Sequence, residues 1–196
     1  FKLSREYPDV RSSLWGLDGL RHIVQPYFNY SFLAGNDLSG DVPRIDRLTP
    51  STELRPIDLA KFTATDDLNP WNIVRTGVRN VLQTKRDGKT HNWLQLNTYV
   101  DTFLEDPEAN RTHSNVFNEI LWHPLPWLRL EMDSQFPVFA NDEEFIEVNS
   151  RIRYMPTKNS EFIINHRFLN DHPFFGDSSL LNLRFYTRLN ENWGLG

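Results

Sequence analysis

Cysteine is absent from this 196-residue chain, which excludes a disulfide framework, a thiolate metal site and a cysteine nucleophile. No run of roughly 18 apolar residues occurs, so no membrane-spanning helix is encoded. That absence leaves membrane-spanning strands open, because only every second residue of such a strand meets lipid. A basic excess is also missing. The 21 Lys and Arg stand against 26 Asp and Glu, a formal net charge of −5, and the basic residues are spread along the chain, which argues against a phosphate-backbone partner. The 9 glycines are scattered at turns and form no phosphate-cradling loop or dinucleotide fingerprint, and no nucleophile motif is present. His22, His91, His113, His123, His166 and His172 fall in no metal-ligand spacing. A barrel enzyme would need a His beside acids near its outer rim, and no segment reads that way. Catalysis, a cofactor and a metal site are therefore not expected.

Alternation is what the chain has instead. Leu181, Leu183, Phe185, Thr187 and Leu189 interleave with Asn182, Arg184, Tyr186, Arg188 and Asn190, and since strand side chains point alternately to opposite faces, the segment has one apolar and one wet wall. Ile146 to Tyr154 repeats this with Arg151 and Arg153 on the wet side, and Leu128 to Phe136 does so with Arg129, Glu131 and Asp133. Leu94 to Thr102, Val74 to Leu82 and Val24 to Phe32 follow the same rule, with Asn80 as a blemish on an apolar side. Val116 to Trp122 and Phe162 to Phe168 are less clean. Eight strands of about ten residues result; at about 3.3 Å per residue and a tilt near 40° each spans roughly 25 Å, the height of the apolar band of an outer-membrane barrel.

The connections sort by length. Tight links at Arg86 to Lys89, Pro124 to Pro126, Thr157 to Asn159 and Asn190 to Trp193 alternate with longer polar links at Ala34 to Trp71, Glu105 to Ser114, Pro137 to Glu143 and Asn170 to Ser179. A barrel that crosses and recrosses one bilayer puts brief turns on the periplasmic side and longer loops outside. Trp93, Trp122, Trp127 and Trp193 lie beside the tight links and Trp71 beside a long one, where aromatic girdles sit. The expected fold is all-β, an antiparallel up-and-down transmembrane β-barrel. Residues 1–196 form one domain, about eight strands of a larger parent, with 34–71 an extracellular loop. The start at Phe1 and the end at Gly196 just past a turn suggest a fragment.

The wet-face arginines Arg75, Arg79, Arg129, Arg151, Arg153, Arg167, Arg184 and Arg188 would line the lumen. Guanidinium groups there could grip phosphorylated sugar headgroups bidentately, or pair with Asp101, Glu119, Glu131, Asp133 and Glu147. Asp142, Glu143 and Glu144 could hold divalent cations that bridge to anionic headgroups, or form a solvated loop.

Arg21-His22, with Pro26 four residues past the His and Tyr27 to Tyr30 opening a Tyr-rich strand, resembles the C-terminal barrel of the lipopolysaccharide-assembly, organic-solvent-tolerance family of outer-membrane proteins. Phe62, the acidic pair Asp66-Asp67, Asn69, Asn72 and the strand Gly77-Val78-Arg79-Asn80-Val81-Leu82 continue the resemblance, which covers Arg21 to about Leu82. The family's Asp-Arg-Ile is replaced around Asp67-Leu68, and after Lys85 only barrel-like patterning continues. The resemblance implies a large barrel holding an outer-membrane lipoprotein plug, fed by periplasmic bridge proteins and delivering lipopolysaccharide to the outer leaflet. A general porin or substrate-specific channel shares the wall pattern without the Arg21 to Pro26 motif. A soluble carbohydrate-binding β-sandwich, whose apolar faces would meet each other, shares the alternation alone.

Overall fold

The computed structural model describes residues 1–34, 57, 70–105, 112–138, 145–172 and 175–196. Their strands are β1 (Leu3–Ser12), β2 (Leu17–Leu33), β3 (Trp71–Arg86), β4 (Lys89–Glu105), β5 (Val116–Leu125), β6 (Leu128–Phe136), β7 (Ile146–Thr157), β8 (Ser160–His172), β9 (Gly176–Arg188) and the short β10 (Gly194–Leu195). They form one antiparallel sheet in chain order, β1 to β10, a pure up-and-down meander. The sheet is open: β1 pairs only with β2, and β10 only with β9.

Register unites the eight apolar sets. Directly opposed residues of antiparallel strands point to the same side. Val24 faces Asn80, Thr76 faces Val100, Leu96 faces Ile120, Ile120 faces Met132, Leu130 faces Ile152, Ile152 faces Ile164 and Ile164 faces Leu183. All the apolar sets therefore share one face of a single sheet, and all the wet sets share the other.

Several expectations need correction. A strand precedes the first expected one: β1 pairs with an extended β2 that starts at Leu17 instead of Val24, through the turn Ser13 to Gly16. Strands β2, β3 and β4 have 17, 16 and 17 residues. At a tilt near 40° they reach roughly 40 Å, well past the roughly 25 Å of an apolar band. The long link expected at Asn170 to Ser179 is mostly strand, since β8 runs to His172 and β9 starts at Gly176. The 34–71 loop lies almost wholly outside the described residues, as do Asp142, Glu143 and Glu144.

The hairpin from β3 to β4 shows how local sequence fixes its geometry. Asp87 and Gly88 have φ of 50° and 72°, the paired left-handed conformations of a two-residue type I′ turn that Asp-Gly favours. Further up, Leu82 faces Leu94 while Gln83 faces Asn92, so Trp93 is an extra residue, a bulge.

Candidate functional site: the polar face and the aromatic rim

Burial is inverted relative to a soluble sheet. On the apolar face Phe28 is 66% exposed and Leu183 67%, while on the polar face Tyr99 is 8% and Glu147 1% exposed. A soluble sandwich would cover its apolar face with a second sheet; the described strands form one sheet only.

The polar face is organised around Gly77. This residue faces Tyr27 on β2 and Tyr99 on β4, and the Tyr27 ring lies over it so closely that a Cβ there would sit 2.5 Å from Tyr27 Cζ. Lacking a side chain, Gly77 lets the ring fold flat and its hydroxyl donate to Asn97 Oδ1 at 3.0 Å. Next to it, Arg75 grips Asp101 with two donors, Nε to Oδ1 at 2.7 Å and Nη2 to Oδ2 at 2.8 Å. The Arg75 guanidinium lies 4.7 Å from the Tyr99 ring centroid, and Tyr99 packs on Phe117 at 5.0 Å. Glu119 accepts from Asn97 at 2.9 Å and from the Tyr99 hydroxyl at 3.4 Å. The Asp101 backbone is pinned in turn, its N–H donating to Ser114 Oγ and its carbonyl accepting from the Ser114 N–H, each at 2.9 Å.

Other arginines on this face also meet carboxylates. Glu131 takes Arg129 at 2.5 Å and Arg151 at 3.3 Å, and Arg153 reaches Glu161 at 3.2 Å. Arg151 also donates to Asn165 at 2.8 Å, and Asn165 donates to Asn182 at 3.3 Å, a polar ladder from β6 to β9. Arg167 lies 4.0 Å from the buried Glu147 and 5.1 Å from the Phe175 ring centroid. Arg188 donates to the turn carbonyls of Asn190 and Glu191. Arg79 and Arg184 are exposed and have no carboxylate within ion-pair distance among the described residues. Pairing thus accounts for Arg75, Arg129, Arg151, Arg153 and Arg167.

The motif residues scatter. Arg21 lies on the polar face, 3.8 Å from Glu6. His22 lies on the apolar face and hydrogen-bonds Asn80 at 3.1 Å, so the blemish on β3 has a partner. Pro26 sits two residues past Val24, the last β2 residue paired with β1, where β2 has a neighbour on one side only and a missing N–H is tolerated. Tyr30 is 57% exposed on the apolar face. Asp66, Asp67 and Asn69 lie outside the described residues.

At the turn end the apolar face carries an aromatic row. Trp122 packs on Trp15 at 5.4 Å and on Trp93 at 5.5 Å, and Trp93 Nε1 donates to the Trp15 carbonyl at 3.0 Å. Trp127 stacks edge-on against Tyr154 at 5.6 Å, and Phe162 packs on both Tyr154 and Phe185. Trp71 departs from this scheme: it lies on the polar face, 1% exposed, packed with Ile73 and bonded through Nε1 to Ser31 Oγ at 2.8 Å. Trp15 and Arg86 were missed by sequence reasoning, because alternation is silent on turns. Arg86 ties three turns together, donating to the carbonyls of Gly16 at 3.3 Å, His123 at 2.9 Å and Pro124. Arg86→Ala is expected to lower the unfolding free energy of the full chain by about 1–2 kcal/mol, since charge-assisted bonds to fixed carbonyls are lost. A urea titration followed by tryptophan fluorescence, which reads the adjacent Trp cluster, checks this; an unchanged midpoint would contradict it.

Comparison of the chain with protein-family models, with curated proteins and with solved structures finds no match.

Proposed function

We propose that this chain is a wall segment of an outer-membrane β-barrel that delivers lipopolysaccharide to the outer leaflet. The observation that supports the membrane part is the inversion of polarity: an apolar face on which Phe28, Ile152, Ile164 and Leu183 are exposed backs a polar face on which Arg75, Arg129, Arg151, Arg153 and Arg167 meet carboxylates. Water on the apolar side would penalise every one of its exposed rings, whereas lipid would not. The aromatic row at the turn end fits headgroup depth. The lipopolysaccharide part rests on the resemblance carried by Arg21, His22, Pro26, Tyr30 and Gly77. In this reading the polar face lines a lumen that holds a lipoprotein plug, and periplasmic bridge proteins supply substrate and driving force.

Cell fractionation with heat-modifiable gel migration tests the first part, and depletion of the protein with measurement of surface lipopolysaccharide tests the second. Recovery in the soluble fraction would sink the barrel; unchanged surface lipopolysaccharide after depletion would sink the transport role, and ion conductance would then favour a porin. The absence of cysteine permits a sharper check. Single cysteines carrying nitroxide labels at Phe28 and Leu183 are expected to be more accessible to oxygen in reconstituted vesicles, and those at Gln25 and Asn182 to a water-soluble nickel complex. Equal accessibility on both faces would refute the assignment.

A further inference from the structure

The open sheet has an edge at each end, and the two differ. Strand β1 carries Arg5, Pro8 and Arg11, and its register shifts between Tyr7 and Arg11; charge, proline and irregularity blunt an edge against further pairing. Strand β9 is not blunted in this way. From Ser178 to Thr187 it has no proline, and its register with β8 is unbroken. The Arg188 N–H donates to the Asn159 carbonyl at 2.7 Å, on the β8 side. Alternate residues of an antiparallel strand turn both backbone groups the same way, so those of Leu181, Leu183 and Phe185 point into the open edge.

That edge already holds the beginning of a strand. Gly194 faces Arg188 and Leu195 faces Thr187, antiparallel, and a Cβ on Gly196 would lie 3.3 Å from the outward carbonyl of Phe185. The seat repeats the one at Gly77. The Tyr186 ring lies over Gly194 on the polar face, where a Cβ would sit 2.8 Å from the Tyr186 hydroxyl and 3.0 Å from Cε2, just as Tyr27 lies over a glycine of the next strand in the long pairing of β2 with β3. Leu195 points to the apolar face with Thr187, Phe185 and Leu183. The same two-sided pattern therefore continues onto β10.

Resting on the membrane reading above, we infer that the β9 edge from Ser179 to Phe185 is a docking edge for one antiparallel strand in the register set by β10, apolar opposite Leu183 and Leu181 and carrying a carboxylate opposite Arg184. In hydrocarbon the outward backbone groups have no water to bond and must be met by another strand. Arg184 supplies the polar-face preference: it is exposed, it faces Ile163 on β8, and no described carboxylate lies within ion-pair distance. A second copy of the chain does not fit. The first and ninth strands of an antiparallel meander run the same way, so a copy inserted the same way up would bring its β1 parallel to β9, whereas β10 lies antiparallel there. Pairing β9 with β9 would turn one copy upside down in the bilayer.

The test uses the full chain with Asn182→Cys, its sole cysteine, refolded into phosphatidylcholine vesicles with a synthetic strand peptide, insertion being verified by flotation. The peptide is apolar opposite Phe185, Leu183 and Leu181, has Glu opposite Arg184, and carries one cysteine either opposite position 182 or two residues to one side. Under mild oxidation the expected disulfide forms with the in-register cysteine and only weakly with the displaced ones. Replacing the peptide's Glu by Lys is expected to weaken capture about fivefold, and Arg184→Glu to reverse that preference. Equal cross-linking in every register, capture indifferent to the charge opposite Arg184, or a floating chain that captures no peptide overturns the docking edge while leaving the membrane reading intact. Disulfide dimers of the chain in place of peptide capture mark a second copy as the occupant and also overturn it. A chain that fails to float brings down the membrane reading and the docking edge together.

Discussion

Asp101→Ala is expected to lower the unfolding free energy of the full chain by about 3–5 kcal/mol, the cost of breaking a buried ion pair from one side. The side chains of Arg75 and Asp101 are 13% and 4% exposed, so water does not replace the two charge-assisted bonds that the substitution strips from the guanidinium. The pair is also held from behind, because the backbone of Asp101 is bonded both ways to Ser114. Little relaxation is open to it. Removing both members of the pair is a different experiment: Arg75→Met with Asp101→Leu takes away the guanidinium along with its carboxylate and is expected to restore most of the loss, since well-packed apolar replacements of buried pairs are often neutral. Urea titrations of the wild type, the single and the double variant measure both effects. A loss below about 1 kcal/mol for Asp101→Ala would mean that the pair behaves as an exposed one, and that the polar face is wetter than its burial implies.

How much of this was legible in the sequence depends on where period two holds. The two faces of β2 to β9 were legible because a slip of one residue would send a whole apolar set to the wrong side, and where the register does shift, as at Trp93, the apolar sets on either side still pair with one another. Strand β1 was not legible. Leu3, Arg5 and Tyr7 interleave with Ser4, Glu6 and Pro8, neither set is apolar, and the register then shifts between Tyr7 and Arg11. The pairing of Arg75 with Asp101 was half legible. The Asp87-Gly88 turn alone would set Arg75 opposite Val100, a residue of the apolar set. The extra residue at Trp93 moves the register by one and brings Asp101 across. A two-residue turn and the two alternations disagree by one residue, and the structure absorbs the difference in the bulge at Trp93. The partners of Tyr27 and Glu147 were illegible, because which polar residues meet on a wet face depends on side-chain reach and not on patterning.

Gly77→Val is expected to cost about 3 kcal/mol, the upper part of the range for overpacking a closed site. The magnitude follows from which atoms block the new side chain. A Cβ at Gly77 would lie 2.5 Å from Tyr27 Cζ, 2.6 Å from its hydroxyl and 2.8 Å from Tyr99 Cβ. The first two belong to the far end of a side chain and can swing away, at the loss of the bond from the Tyr27 hydroxyl to Asn97. The third is fixed to the backbone of the paired strand and can retreat only if β3 and β4 separate. Two obstacles of different stiffness make a divided rescue. Tyr27→Ala placed on Gly77→Val is expected to recover roughly half of the loss, a coupling of the size seen between residues in contact. The remainder belongs to Tyr99 Cβ. Full recovery would show that β4 yields easily, and no recovery would show that the Tyr27 ring already moves aside without cost. Because Arg75 stacks on Tyr99, any separation of β4 from β3 also loosens the Asp101 pair. The effects of Gly77→Val and Asp101→Ala in one chain are therefore expected to sum to less than their separate values.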